Sequence, residues 1–179
     1  MDYEKVNMDE QTEEDLIYYA HETELIFKLN HTLPRSDEYI EIMNELLDLD
    51  ENSFVMAPIA GAALNKVKIG KNVYINSNSL LMARGGITIE DDVLIAANVQ
   101  LLSNNHDEYE RNILTCKPIH IKKGAWIGAG ASILPGVTIG ENAIVGASAV
   151  VTKDVGDCEV AVGVPAKVVK TLDKTKFKE

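Results

Sequence analysis

The stretch that decides the fold runs from residue 121 to residue 155 and reads IKKGAWIGAGASILPGVTIGENAIVGASAVVTKDV. A branched aliphatic residue occupies every sixth position, and a small or β-branched residue follows each of them four positions later. The aliphatic set is Ile121, Ile127, Ile133, Ile139, Val145 and Val151, and the second set is Ala125, Ala131, Val137, Ala143, Ala149 and Val155. A fixed period of this kind indicates a repeat architecture.

The six-residue period fits neither of the common elements of secondary structure. A helix places apolar residues every three or four positions, and a half-buried strand places them every two. A large and then a small inward residue instead describe a short strand followed by a corner, so three such sides close a triangular coil of about 18 residues. Coils stacked at roughly 4.8 Å would hydrogen-bond to one another. Gly-rich strands of a β-sandwich, the competing interpretation, would not keep six consecutive positions in phase.

A looser form of the same pattern precedes this stretch. Its aliphatic positions are Ile69, Ile75, Leu81, Ile89, Ile95 and Leu101. The step from 81 to 89 contains two additional residues, the glycine pair of ARGGITI. We therefore expect residues 55–179 to form one all-β domain, a parallel β-helix with a C-terminal tail.

Residues 1–54 differ in composition, because they contain 16 acidic and only three basic residues. Leu16, Ala20, Leu25 and Leu29 lie near helical spacing and predict a first helix that ends before Pro34. A second helix is predicted after Ser36, a plausible N-cap, with an apolar face formed by Tyr39, Ile42, Met43, Leu46 and Leu47. Both helices are expected to pack on the β-helix.

The overall composition argues against several classes of function. The formal net charge of −11 disfavours nucleic acid or an anionic membrane as the main partner. The two cysteines, Cys116 and Cys158, form neither a CxxC pair nor a zinc pattern, so no metal is expected. Neither a signal peptide nor a membrane span is visible, which predicts a cytoplasmic protein.

The six-residue period is interrupted once, between Leu101 and Ile121. The intervening LSNNHDEYERNILTCKPIH is rich in charged residues, which cannot line an apolar prism. Residues 107–117 are therefore predicted to leave the coil as a loop, and loops on a rigid scaffold commonly carry chemistry. His106 stands immediately before this loop, and histidine is the side chain best suited to proton transfer near neutral pH.

The chain resembles the hexapeptide-repeat acyltransferases of the galactoside/maltose O-acetyltransferase group. The resemblance is carried by the repeat itself and by the motifs NNHDEYERN, VTKD and GVPAKVVK. It implies a left-handed parallel β-helix, a homotrimer with active sites between neighbouring prisms, and acetyl-CoA as the acyl donor. It also implies that His106 is the general base, which removes the proton of the acceptor hydroxyl during attack on the thioester.

The resemblance further implies a coenzyme site at outward corners and in the C-terminal segment. Ala129, Ala147 and Thr152 match positions that line the pantetheine slot, and three lysines match positions that meet the nucleotide and its phosphates: Lys153, Lys167 and Lys170. Trp126 lies at an outward position, where both a packed interface aromatic and a residue next to the coenzyme are consistent with the sequence.

The match is weaker for the acceptor. Asn76 matches an acceptor-binding asparagine of the family, whereas Ala62, Ala83 and Arg84 stand where the sugar enzymes tend to have polar or acidic groups. Arg84 suggests an acceptor that carries negative charge. Three functions remain open: O-acetylation of a sugar or related small molecule, N-acetylation of an amino-sugar or antibiotic-like acceptor, and a non-catalytic scaffold.

Overall fold

In the computed structural model, which describes residues 3–50 and 52–177, short strands stack into a three-sided prism that follows two helices. The N-terminal part contains β1 (Glu4–Asn7), a 3₁₀ turn (Met8–Glu10), α1 (Glu13–His31) and α2 (Asp37–Leu47). The later strands are β2 (Phe54–Val55), β3 (Ile59–Ala62), β4 (Val67–Ile69), β5 (Tyr74–Ile75), β6 (Ser79–Met82), β7 (Ile87–Ile89), β8 (Leu94–Ile95), β9 (Gln100–Leu102), β10 (Asn104–His106), β11 (Ile113–Cys116), β12 (Ile119–Ile121), β13 (Trp126–Ile127), β14 (Ser132–Ile133), β15 (Thr138–Ile139), β16 (Ile144–Val145), β17 (Val150–Val151), β18 (Glu159–Val162) and β19 (Lys167–Thr171). Further 3₁₀ turns span Leu64–Lys66 and Lys174–Lys176.

Three sheets form the faces of the prism. The first face contains β4, β7, β12 and β15; the second contains β2, β5, β8, β13, β16, β18 and β19; the third contains β3, β6, β9, β14 and β17. All pairs within these faces are parallel except β18 with β19. The predicted fold class, a left-handed parallel β-helix with an N-terminal helical segment, is confirmed.

The interior of the prism is filled by the residues of the six-residue period. From Ile121 to Val151 every sixth residue is at most 1% exposed, and the small residues between them are at most 4% exposed. Each strand from β2 to β18 contributes only two to four residues to its sheet, so a single coil buries little on its own. Stability therefore accumulates between neighbouring coils.

The glycine pair that lengthens one step of the pattern sits at the corner between the third and first faces. A Cβ on Gly85 would lie 2.4 Å from the main-chain oxygen of Ser103 and 2.8 Å from the Lys117 nitrogen. Gly86 has a φ of 88°, which disfavours residues with a Cβ. The two glycines thus allow the backbone of this coil to pass close to the next one at the corner where the period is interrupted.

The three faces differ in the residues that they present to solvent. The outward ladder of the first face is polar and consists of Lys68, Thr88, His120 and Thr138. The ladder of the second face is apolar and consists of Tyr74, Leu94, Trp126, Ile144 and Val160. On the third face Leu80, Met82 and Leu102 are half-buried. Leu94 and Trp126 are 53% and 50% exposed, a large apolar area for a surface strand.

The helices pack on the first coil of the prism, and the buried stripe of α1 differs from the predicted one. All five residues predicted for the apolar face of α2 are buried. In α1, Leu25 and Leu29 are buried, but Leu16 is 56% exposed and Ala20 also faces solvent. The inner stripe instead continues through Glu22 to Tyr18, so a carboxylate occupies a position that the pattern assigns to an apolar residue.

Polar side chains of the helices bond to the backbone of the first coil. The Tyr39 hydroxyl donates to the Val55 carbonyl oxygen (2.8 Å) and accepts from the Ala57 N–H (2.7 Å). The Asn30 amide pairs with both backbone groups of Ile59, at 2.8 and 2.9 Å. The Glu22 carboxylate, 4% exposed, accepts from the N–H groups of Ala63 (3.1 Å) and Leu64 (2.6 Å).

The Tyr18 hydroxyl completes this arrangement by donating to Glu22 at 2.7 Å and accepting from the Asn65 N–H at 3.0 Å. Burial, together with the hydrogen bond to Glu22, raises the pKa of the Tyr18 phenol above its ordinary value. Glu22 is therefore a docking residue between α1 and the prism, since a buried carboxylate is stable only when its acceptor sites are used.

We expect Glu22→Gln to lower the free energy of unfolding by about 1–3 kcal/mol, because an amide has one acceptor oxygen in place of two. Chemical denaturation with circular dichroism measures the effect. Glu24→Gln on the same helix is the matched control, since it removes only an exposed pair with Lys28 and should change little. Equal stability of the two variants would show that the Glu22 contacts do not hold α1.

Candidate functional site

The interruption of the period is a β-hairpin outside the prism. Strands β10 and β11 pair antiparallel, with His106 opposite Leu114, and β1 adds a third strand along β11. The chain leaves the prism after Ser103 and returns at Lys117, whose N–H donates to the Ser103 carbonyl oxygen at 2.9 Å. The excursion thus starts three residues before the predicted loop 107–117, and it includes His106 itself. The N-terminal strand that completes this sheet was not predicted.

His106 is held in one tautomer by the hairpin. Its Nδ1 lies 2.5 Å from the main-chain oxygen of Arg111. A carbonyl oxygen can only accept, so Nδ1 carries a proton, and in the neutral imidazole the lone pair is on Nε2. The side chain is exposed and lines an open cavity of about 540 Å³ together with Tyr3, Lys5, Tyr109 and Thr115. The arrangement provides a free basic nitrogen at the surface of the hairpin.

The turn after His106 is organised by Asp107. Its carboxylate accepts from the N–H groups of Tyr109 (2.9 Å) and Glu110 (3.2 Å) and lies 3.2 Å from Lys5 Nζ. These donors lower the pKa of Asp107 to about 2, so its carboxylate is ionised at neutral pH. The Arg111 guanidinium donates to the Asp107 main-chain oxygen at 2.5 Å, which closes the turn that presents the Arg111 carbonyl to His106.

The predicted acceptor residues Asn76 and Arg84 lie at opposite ends of β6, so one chain does not bring them together. Asn76 is at the corner between the second and third faces, where its Oδ1 accepts from the Ser77 N–H at 2.8 Å. Arg84 is at the corner from which the hairpin leaves, half-buried, with its guanidinium carbon 4.8 Å from the Tyr19 ring centroid. Ala83 is fully buried and faces the prism interior, so it cannot meet an acceptor.

The predicted coenzyme residues divide between two corners. Ala129 and Ala147 are exposed on successive coils of the corner between the second and third faces, where the Ser148 N–H donates to the Ala129 carbonyl oxygen at 2.8 Å. Thr152 and Lys153 are exposed at the other end of β17, on the corner of the hairpin. The two groups are therefore separated by the width of the third face.

Lys167 and Lys170 lie on β19, the strand that closes the second face, and both are exposed. Lys167 pairs with Val162, whose side chain stands 2.7 Å from the position that a Cβ on Gly146 would take. This lysine is thus near the corner of Ala147. Lys170 lies opposite Val160, towards the other end of the strand.

Within residues 3–50 and 52–177, no cluster of three His, Cys, Asp or Glu side chains could hold a metal ion. His120 on the first face instead bonds Glu90 at 2.6 Å. Cys116 is buried at the base of the hairpin, where burial raises the pKa of its thiol and makes it a poor nucleophile at neutral pH. No helix in the described ranges combines the length and hydrophobicity of a membrane span.

Comparison with known proteins places the chain in a family. The repeats described as "Bacterial transferase hexapeptide (six repeats)" match residues 118–153, and "Hexapeptide repeat of succinyl-transferase" matches residues 66–103. The chain is 36% identical to the galactoside O-acetyltransferase of Escherichia coli (strain K12) over 155 residues, which cover 83% of this chain and 76% of that protein. The chain belongs to the hexapeptide-repeat acetyltransferases.

Other members of the family support the same placement. The galactoside O-acetyltransferase of Lactococcus lactis (strain IL1403) is 31% identical over 161 residues, 86% of this chain and 78% of that protein. The solved galactoside acetyltransferase in complex with coenzyme A superposes with a TM-score of 0.87 at 31% identity, covering 95% and 90% of the two chains. The structure of a maltose O-acetyltransferase from Clostridium difficile 630 superposes with a TM-score of 0.89 at 29% identity, covering 96% of this chain and 94% of that chain. As a hexapeptide-repeat acetyltransferase, the chain is an acyltransferase.

Proposed function

We propose that this acyltransferase moves an acetyl group from acetyl-CoA to a hydroxyl of a sugar or related small molecule, with His106 as the general base. The observation that carries the proposal is the hydrogen bond from His106 Nδ1 to the Arg111 carbonyl, which makes Nε2 the basic nitrogen of the neutral imidazole, on a side chain that lines the cavity. Similarity to solved relatives that bind coenzyme A supports the choice of donor.

The reaction needs one base and correct alignment. His106 Nε2 accepts the proton of the acceptor hydroxyl while that oxygen attacks the thioester carbonyl carbon. The tetrahedral intermediate then collapses, the carbon–sulfur bond breaks, and the imidazolium returns its proton to the departing coenzyme A thiolate. A thioester is already activated, so holding both substrates in register provides much of the rate enhancement.

We assign the coenzyme to the two corners that carry the matched residues. Ala129 and Ala147 leave the backbone of their corner accessible to a narrow chain such as pantetheine, and Thr152 lies at the other corner. Lys153, Lys167 and Lys170 supply positive charge for the phosphates in a chain whose net charge is −11. The exposure of all six residues supports this assignment.

A homotrimer, with each site between neighbouring prisms, would unite residues that one chain keeps apart. Asn76 and the alanine corner are separated from the hairpin by the third face, so a complete site needs a second copy of the chain. The apolar ladder around Leu94 and Trp126 on the second face offers a surface for such a contact, because adjacent exposed apolar side chains commonly mark interfaces.

For the acceptor we propose Asn76 and Arg84 as binding residues, with Arg84 favouring an acceptor that carries a carboxylate or phosphate. Stacking on Tyr19 orients the guanidinium, and Lys66 donates to the Arg84 main-chain oxygen at 3.1 Å, so two cations meet at this corner. A guanidinium can bind a carboxylate or phosphate through two parallel hydrogen bonds.

We expect His106→Ala to lower kcat by about 10²–10⁴ while the trimer and coenzyme binding persist, because only the general base is lost. Thiol release from acetyl-CoA, measured across neutral, anionic and amino-sugar acceptors, gives the rate, and sedimentation gives the mass. His31→Ala is the control, since this histidine is exposed on α1, where it hydrogen-bonds the Phe27 carbonyl oxygen. Activity of His106→Ala within a few-fold of wild type would exclude the base assignment.

Reversal of charge on β19 should weaken donor binding. We expect Lys167→Glu with Lys170→Glu to raise KM for acetyl-CoA by about tenfold or more, since a hydrogen bond to a charged group contributes about 1.5–3 kcal/mol. Acetylated dephospho-coenzyme A should be affected far less. Lys174→Glu with Lys176→Glu makes the same charge change beyond β19 and serves as control. If KM rises equally for acetyl-CoA and for acetylated dephospho-coenzyme A, the β19 lysines do not contact the phosphate that only acetyl-CoA carries.

Acceptor choice should depend on Arg84. We expect acidic sugars to have a higher kcat/KM than their neutral counterparts, and Arg84→Ala to lower the acidic value by about tenfold or more while sparing the neutral one. Arg84→Lys keeps the positive charge but loses the paired N–H donors of the guanidinium, so its kcat/KM for the acidic sugar should lie between those of the wild type and Arg84→Ala. If the neutral sugar reacts as well as the acidic one and Arg84→Ala alters neither, Arg84 has no part in acceptor choice.

A further inference from the structure

The N-terminal strand is attached to the hairpin that carries His106 at several points. Four residues of β1 pair with four of β11, from Glu4 opposite Cys116 to Asn7 opposite Ile113. The Met8 N–H donates to the Asn112 carbonyl oxygen at 2.9 Å, and the Asn112 amide donates to Asp9 at 2.9 Å. The hairpin stands outside the prism, so β1 is a principal support of its outer edge.

The only ion pair between β1 and the hairpin in the described part of the chain joins Lys5 to Asp107. Their charged atoms are 3.2 Å apart, and the Asp107 side chain is 18% exposed. Asp107 in turn fixes the loop on both sides. Its carboxylate binds two N–H groups of the turn, its N–H donates to the Ile113 carbonyl oxygen at 2.8 Å, and its carbonyl oxygen accepts from Arg111.

These contacts connect Asp107, through Arg111, to His106, the proposed general base. The Arg111 carbonyl, which accepts from His106 Nδ1, belongs to the residue that the Asp107 turn holds in place. A displacement of that carbonyl would free Nδ1, and an imidazole without a fixed partner exchanges its proton between the two nitrogens. A fraction of the enzyme would then hold the proton on Nε2, the atom that must be empty for catalysis.

We infer that Asp107 and Lys5 are positioning residues, which act through the Arg111 carbonyl to keep His106 in the reactive tautomer and orientation. The inference rests on the proposed role of His106 as general base. It gives the N-terminal strand a part in the reaction, because β1 anchors the lysine that fixes Asp107. Asp107 is ionised at neutral pH, since its pKa is lowered to about 2 by the N–H groups and the lysine that it binds.

Three variants separate the contacts of Asp107. Asp107→Ala removes the ion pair and both bonds to the turn, Asp107→Asn keeps an oxygen for the turn, and Lys5→Met removes only the ion pair. We expect kcat to fall about tenfold to a hundredfold for Asp107→Ala and less for the other two, because misplacement of a catalytic group by about 1 Å can cost a hundredfold. KM for acetyl-CoA should not change.

Lys28→Met is the matched control, because it removes an exposed lysine pair with Glu24 (2.6 Å) far from the hairpin. This variant should keep the wild-type kcat. If Lys5→Met and Asp107→Asn also keep it, and Asp107→Ala loses no more than Lys28→Met, the positioning role is excluded.

A spectroscopic measurement tests the tautomer without using activity. Long-range ¹H–¹⁵N correlation spectra of the histidine-labelled protein should show His106 protonated at Nδ1 in the wild type and exchanging between both nitrogens in Asp107→Ala. His106→Gln identifies the signal among the four histidines of the chain. A fixed tautomer in Asp107→Ala would overturn the inference even if kcat fell. Failure of the base assignment is distinguishable, because it would appear as activity in His106→Ala.

Discussion

Every coil of this protein must bury an aliphatic side chain in a prism that leaves no space for a charged one. Because of that constraint, each coil turns at three corners and the coils stack in register. Neighbouring coils are then joined mainly by backbone hydrogen bonds between their strands. A segment that carries charge has no place in the interior and must leave at a corner. The hairpin with His106 is such a segment. At the corner where it leaves the prism, Gly85 has no Cβ that would meet the backbone of Ser103 and Lys117, and Gly86 has a positive φ.

The same rigidity supports the proposal that an exposed histidine, His106, acts as a base. The prism supplies a fixed platform, and the hairpin adds a backbone acceptor that sets the imidazole tautomer. Because the strands are short and flat, functional residues collect at corners rather than in a deep pocket. One corner presents alanines and another presents the hairpin, so copies of the chain placed side by side would complete a site between them.

The sequence was sufficient to predict the prism, because a six-residue period has only one simple geometric solution and the pattern holds over many coils. It was also sufficient to predict an excursion next to His106, although the chain leaves the prism after Ser103 and His106 therefore lies within the hairpin and not just before it. It was insufficient for α1, where Glu22 occupies the buried stripe and Leu16 lies outside it. A buried carboxylate is stable there only because the 3₁₀ turn after Ala63 offers two free N–H groups, a tertiary fact that α1's own sequence cannot reveal.

The pairing of β1 with β11 was missed for a related reason. It joins residues about a hundred positions apart, and a four-residue strand carries almost no periodic signal. Asn76 and Arg84 are separated because they lie at corners on opposite ends of β6. Matching single residues to those of a family does not take this geometry into account. Ala83 illustrates the same limit, because at the corner that follows β6 it is fully buried while the adjacent Arg84 is only half-buried.

A stack of parallel strands has two open ends, and either could in principle template further strands from another molecule without limit. Here neither end is left free along its whole length. At the start, Tyr39, Asn30 and Glu22 occupy backbone groups of the first coil with side-chain atoms that cannot extend a ladder. At the finish, β19 turns back antiparallel, with Lys167 at one end of its pairing and Lys170 next to the other end. The protein thereby sets its own length and resists end-to-end fibre growth.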